Sequence, residues 1–150
     1  MNSLSILQYP HPALRHKSKP LVRVDAELRQ IVREMFDLMY EAQGIGLAAN
    51  QVGLPYRFFV ANLTADANEP EEELIFINPQ LTAPKGSEEK DEGCLSLPGL
   101  YAPVRRPQSV EVSAYNLAGQ EISGRLDGRL ARVVQHETDH LDGVLFTDRL

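Results

Sequence analysis

Cysteine occurs once in the 150 residues, as Cys94, so no intramolecular disulfide can staple this fold. No signal-peptide pattern opens the chain, and a reducing, cytoplasmic compartment is the expectation. No apolar run approaches the length of a membrane-spanning helix, so no membrane role is expected. Basic residues are outnumbered, 15 against 21 acidic ones, and the net charge of −6 argues against general or sequence-specific nucleic-acid binding. A transient ribosome contact through a small basic patch stays open. Internal repeats are absent, and the acidic, Pro-interrupted stretch from Thr64 to Glu73 reads as a solvated loop rather than a domain boundary. With 43% hydrophobic residues the chain is long enough for one well-formed core and too short for two ordinary domains. Residues 1–150 are therefore expected to act as a single domain.

What is present points to chemistry. In His136-Glu137-Thr138-Asp139-His140 two imidazoles stand four apart. On an α-helix that places them about 40° apart around the axis and about 6 Å along it, so both rings can grip one ion. Leu130, Val133, Val134 and Leu141 fall at helical spacing around them, Asp127 is positioned as an N-cap, and Gly143 as a left-handed C-terminal cap. Glu137 shares the buried stripe, where an isolated carboxylate is costly to ionise. A bound cation and its water would partner it.

Two ligands are not a site, and HExxH patterns recur by chance. Metallopeptidases of the thermolysin type take a third ligand from a downstream Glu, but the ten residues after His140 contain none. The longer HExxHxxGxxH form has its Gly as Gly143 but Phe146 at its last position. The third ligand must lie upstream. Cys94, in Glu92-Gly93-Cys94-Leu95-Ser96, is the soft candidate. By itself a lone Cys is as readily a small buried hydrophobe. Its place between the charged run Glu88 to Glu92 and the turn formers Pro98-Gly99 reads instead as an irregular segment at a sheet edge. One thiolate and two neutral imidazoles give a site of net charge near +1 with a fourth position left for water. Glu92 and Arg106 are candidates for an ion pair fixing the Cys94 loop, buried or exposed.

A third segment is Gly44-Ile45-Gly46-Leu47-Ala48-Ala49-Asn50-Gln51, which lacks the spacing of a phosphate-binding loop. Its small residues allow a ligand or another backbone to approach closely. Gln51 is an uncharged amide able to donate to a developing oxyanion without competing for a metal. Before it lies an amphipathic helix, expected over Ala26 to Gln43, capped by Asp25, carrying Leu28, Ile31, Val32, Met35, Phe36 and Met39 on one side and ended by Gly44. Strands are expected near Phe58 to Asn62, Leu74 to Asn78, Val110 to Tyr115 and Glu121 to Ser123, the last two joined by a turn through Asn116 to Gly119, with a second helix over Gly128 to Leu141. The fold class is α+β, with mostly antiparallel sheets packed around a central metal-binding helix. His11 and His16 sit in a turn-rich segment and are expected at the surface.

The segments GIGLAANQ, EGCLS and QHETDH resemble the three signature motifs of the peptide deformylase family, in the family's order and with comparable separations. The likeness runs from Ile6-Leu7-Gln8-Tyr9-Pro10 to Leu145-Phe146. What it implies is a hydrolase that removes the N-terminal formyl group from formylmethionine of newly made polypeptides and releases formate. It implies one divalent metal ion, ferrous iron by preference and replaceable by zinc, nickel or cobalt, on residues matching Cys94, His136 and His140. It also implies Glu137 as the catalytic carboxylate, with Gln51 and the Leu95 backbone N–H holding the carbonyl oxygen in the transition state. An apolar pocket for the methionine side chain is expected from Gly44, Ile45, Gly46, Leu95 and Val133. For Ile45 and Val133 plain core packing is an equal alternative, and Arg129 and Arg132 on the same helix leave the pocket's polarity open. Many family members continue beyond the matched region, whereas this sequence carries no long C-terminal extension. Two other readings remain: an endopeptidase, and a binding module in which the metal is only structural.

Overall fold

The computed structural model describes residues 4–150 and arranges them as two helices on opposite faces of one antiparallel sheet, with a separate hairpin closing over the second helix. Helix α1 (Ala26–Glu41) starts where Asp25 Oδ1 accepts from the Leu28 N–H at 2.9 Å, so the expected cap is in place. It ends two residues before the expected boundary. Gln43 supplies the left-handed turn, at φ 61°, and Gly44 follows with its N–H on the Met39 carbonyl at 2.8 Å. Gly44 is thus small for another reason, given below.

Strands β1 (Gly46–Ala48), β2 (Phe58–Ala61), β3 (Leu74–Lys85), β6 (Ser109–Tyr115) and β7 (Glu121–Asp127) form the five-stranded sheet in the order β1-β2-β3-β6-β7, every pairing antiparallel. Alternate residues of the central strands serve different helices. Leu47, Phe58, Val60 and Ile77 pack with the α1 face of Leu28, Val32, Met35, Phe36 and Met39. Ala48, Phe59, Phe76, Val112 and Ala114 pack with Val134 and Leu141 of helix α2 (Gly128–Leu141). A strand covered on both sides reads as an unbroken apolar run, which is why Phe58-Phe59-Val60-Ala61 shows no polar alternation. The acidic loop holds a short 3-10 turn at Pro70–Glu72, and His11 and His16 are exposed, as expected.

Strands β4 (Glu88–Cys94) and β5 (Leu97–Arg106) correct the sequence reading. The charged run Glu88 to Glu92, for which no strand is expected, is a paired strand, and Pro98-Gly99, read as turn formers, lie inside β5 while the turn falls at Leu95 and Ser96. Of the β4 residues only Glu92 is buried, while Glu89, Lys90 and Asp91 stay exposed, and a strand with a carboxylate as its buried position carries no apolar signal to detect. Cys94 ends that strand beside the two-residue turn of Leu95 and Ser96.

Helix α2 is buried on nearly all sides, from Ala131 to Leu141. Asp127 has the extended geometry of an N-cap but makes no side-chain cap bond. Gly143 closes the other end at φ 76°, its N–H on the His140 carbonyl at 3.0 Å. A β-carbon there would stand 2.5 Å from the Arg15 carbonyl oxygen. Left-handed strain and this backbone collision together predict that Gly143→Ala loses about 2–4 kcal/mol, read from the urea midpoint at unchanged m-value. No described helix is long and apolar enough to cross a membrane.

Candidate metal centre

Donor atoms of Cys94, His136 and His140 lie within 4.8 Å of one another, although the rings lie 42 positions or more along the chain from the sulfur. His140 Nε2 stands 3.2 Å from Cys94 Sγ. The two rings meet edge-on, their centroids 5.0 Å apart, as the i, i+4 spacing on α2 requires. One sulfur and two imidazole nitrogens suit zinc or ferrous iron. The donor set therefore fits a divalent ion chemically as well as in space.

The His136 ring is oriented from behind, whereas His140 Nδ1 has no hydrogen-bond partner among the described residues. His136 Nδ1 is 2.8 Å from Glu92 Oε1, so its Nε2 is turned to the site. Asn50 donates its side-chain N–H to the His140 carbonyl, fixing the helix turn that carries the second ring. Glu92 is 7% exposed and also accepts from Arg106 Nε and Nη2, at 2.6 and 2.8 Å, and from Arg132 Nη1 at 2.5 Å. Of the two readings of the Glu92–Arg106 pair, the buried one is correct. Burial alone would raise the Glu92 pKa, but hydrogen bonds from Arg106 and His136 outweigh it and bring it down to about 2. Burial likewise opposes charge on His136, yet the Cys94 and Glu92 side chains hold its proton up to about 10. Burial, with the positive charge of His136 beside it, drives His140 well below its ordinary value. A cation taken up by this set displaces the His136 proton.

Glu137, 5% exposed, points into the same space, with Oε2 at 3.9 Å from His136 Nε2. Its Oε1 is buried with no hydrogen-bond partner among the described residues. Such a carboxylate is costly unless an ion or water completes it. Burial raises its pKa to about 7. Gly46 explains how the carboxylate fits: a β-carbon at that position would lie 2.7 Å from Glu137 Oε2. At Gly44 it would lie 2.6 Å from Leu95 Cδ1. The glycines of the first motif admit the side chains of the other two.

Gln51 stands in the 3-10 turn Ala49–Val52 with its amide orientation set on both sides. Its Oε1 accepts from the Ala48 N–H at 2.9 Å, while Nε2 donates to Ser96 Oγ at 3.1 Å and lies 3.5 Å from Cys94 Sγ. The N–H side therefore faces the sulfur. A cavity of about 770 Å³ opens in front of these groups, lined by Gly44, Ile45, Gly46, Gln51, Cys94, Leu95, Val133, His136 and Glu137. His140 lies behind the lining, 1% exposed. Nine of the ten residues expected as ligands, catalytic groups or pocket lining thus share one cavity, and the tenth, His140, lies behind it. Arg129 and Arg132 also line it; Arg132 is spent on Glu92 and on the Val104 and Glu88 carbonyls.

Sequence reasoning missed the Glu92–His136 bond, the Arg132 contribution and the Ser96 contact. Only the position of Glu92 two before Cys94 hinted at the first. Replacing Glu92 with Gln is predicted to weaken metal affinity about 10–100-fold, measured by competition with a chelator; unchanged affinity would remove Glu92 from the centre.

The family model for polypeptide deformylase matches residues 3–150. A peptide deformylase of Rhodopirellula baltica is 56% identical over 147 residues, covering 98% of this chain and 73% of that one. One from Neisseria gonorrhoeae is 46% identical and covers 100% and 88%. Among solved structures, a plant peptide deformylase superposes with a TM-score of 0.95 at 44% identity, covering 100% of this chain and 82% of that one. The Thermotoga maritima enzyme gives 0.91 at 36% identity, covering 100% and 99%.

Proposed function

This chain belongs to the polypeptide deformylase family, and on that premise we propose that Cys94, His136 and His140 hold its metal while Glu137, Gln51 and the Leu95 backbone N–H carry the chemistry. The reaction is metal-dependent hydrolysis of the formyl amide at the N-terminal formylmethionine of newly synthesised polypeptides, releasing formate. The observation that supports the residue assignment is the convergence of one sulfur and two ring nitrogens beside a buried carboxylate whose Oε1 lacks a partner.

When bound, a divalent cation supplies Lewis acidity, drawing the pKa of a water toward neutrality and polarising the formyl oxygen. Glu137 takes the proton of the attacking water and later delivers it to the departing amine nitrogen. A carboxyl brought to about 7 by burial is matched to both tasks. The Gln51 amide and the Leu95 N–H donate to the oxygen that gains negative charge as the carbonyl carbon becomes tetrahedral. Because Ala48 fixes Gln51 Oε1, the Nε2 end is held on the side of Cys94.

Ile45 and Val133, with the floor at Gly44 and Gly46, receive the methionine side chain. Ferrous iron is the assigned ion, with zinc, nickel or cobalt as replacements, and a ferrous thiolate centre is expected to lose activity in air. Residues 1–150 act as one catalytic domain, working in the cytoplasm on formylated nascent chains in transient contact with the ribosome, without sequence-specific nucleic-acid binding.

Gln51→Ala is expected to lower turnover on formyl-Met-Ala by about 10²–10³ while metal content stays at the wild-type level. Glu137→Gln should reduce formate release further still. Wild-type turnover in the Gln51 variant would remove that side chain from the transition state.

A further inference from the structure

We propose that Arg149 is a positioning residue for His136, acting through a continuous series of charged hydrogen bonds from the last 3-10 turn of the chain into the metal centre. This rests on the assignment of Cys94, His136 and His140 as ligands. Arg149 Nε and Nη2 donate to Asp139 Oδ2 and Oδ1 at 2.5 and 2.7 Å. Asp139 Oδ2 also accepts from Arg106 Nη1 at 2.8 Å. Arg106 turns its Nε and Nη2 edge to Glu92, and Glu92 Oε1 meets His136 Nδ1. Four links separate an exposed guanidinium from a ligand ring.

The burial gradient distinguishes this from an ordinary surface pair. Side-chain exposure is 45% at Arg149, 14% at Asp139, 3% at Arg106 and 5% at Glu92. Arg106 serves two carboxylates, and a guanidinium divided between two acids is held by the balance of their demands. Arg149 gives Asp139 a two-pronged partner of its own, which leaves the Nε and Nη2 edge of Arg106 for Glu92. Without Arg149, Asp139 draws harder on Arg106, and the grip on Glu92, and through it on the imidazole, loosens.

The turn that carries Arg149, Phe146–Arg149, also lays the Phe146 ring along His136, centroids 6.1 Å apart and planes at 26°. Its other side is tied by Arg15, which pairs with Asp148 and donates to the Gly143 carbonyl at 3.3 Å. Stacking and hydrogen bonding from this one turn both end at His136.

The test is the dissociation constant of the full chain for Co²⁺, by chelator competition, with the cobalt absorption spectrum and the melting temperature of the metal-free protein followed in parallel. Arg149→Ala is expected to weaken Co²⁺ binding about 3- to 10-fold, less than loss of a residue touching the ligand itself, and to alter the cobalt spectrum, with Arg149→Lys recovering most of both. In a Glu92→Gln background the Arg149→Ala penalty should vanish, since the route runs through that carboxylate. A lowered melting temperature with wild-type Co²⁺ affinity and spectrum would show a purely structural brace and overturn the proposal. So would penalties that multiply independently in the double variant. A wild-type chain that takes up no Co²⁺ at all would instead overturn the ligand assignment on which the link is built.

Discussion

One buried carboxylate organises this molecule. Glu92 is removed from water, a cost of several kcal/mol for an isolated ion, and is offset by two guanidiniums and an imidazole that together occupy both its oxygens. Those three partners come from two elements: Arg106 from the end of β5, Arg132 and His136 from α2. The ion cluster therefore fastens the β4–β5 hairpin to the helix it covers, and the hairpin brings Cys94 to the two rings. Ion pairs of this kind add little net stability beyond what apolar packing would give. Their contribution here is direction, because they decide which nitrogen of His136 faces the site and how far the thiol stands from it.

The two layers of apolar packing set the remaining coordinates. Phe59, Phe76 and Ala48 hold α2 against one face of the sheet, and Leu47 and Phe58 hold α1 against the other. Between them, β1 runs directly from Gly46 into the turn that bears Gln51. Glycine at positions 44 and 46 is dictated by what presses on them, Leu95 and Glu137, more than by any turn. The three motifs are thus separate in sequence and interlocked in space: the first leaves room, the second places a sulfur, and the third places two ring nitrogens and a carboxylate.

Much of this was legible from residues alone. The i, i+4 histidines, the apolar stripe of α1, the Asp25 cap and the strands at residues 58 and 110 follow periodicities that local physics enforces, and they appear where expected. The need for an upstream third ligand followed from the lack of a downstream Glu. Less legible was anything whose partner lies far along the chain. The hairpin of Glu88–Cys94 and Leu97–Arg106 hides behind a run of charges because the one buried position of its first strand is itself charged. The end of α1 was misassigned because Gln43, an unusual left-handed residue, takes the place that glycine normally marks. The bond from Glu92 to His136 bridges 44 positions, and no spacing rule reports it.

The proposed joint grip of a mid-chain sulfur and two helix-borne rings on a single ion can be read directly by X-ray absorption at the edge of the bound metal, in protein prepared without air. A zinc-loaded sample should show one sulfur at about 2.3 Å and two imidazole nitrogens at about 2.0–2.1 Å, with the remaining position filled by a light oxygen donor. A spectrum containing no sulfur, or one saturated by four protein ligands, would contradict the centre described above.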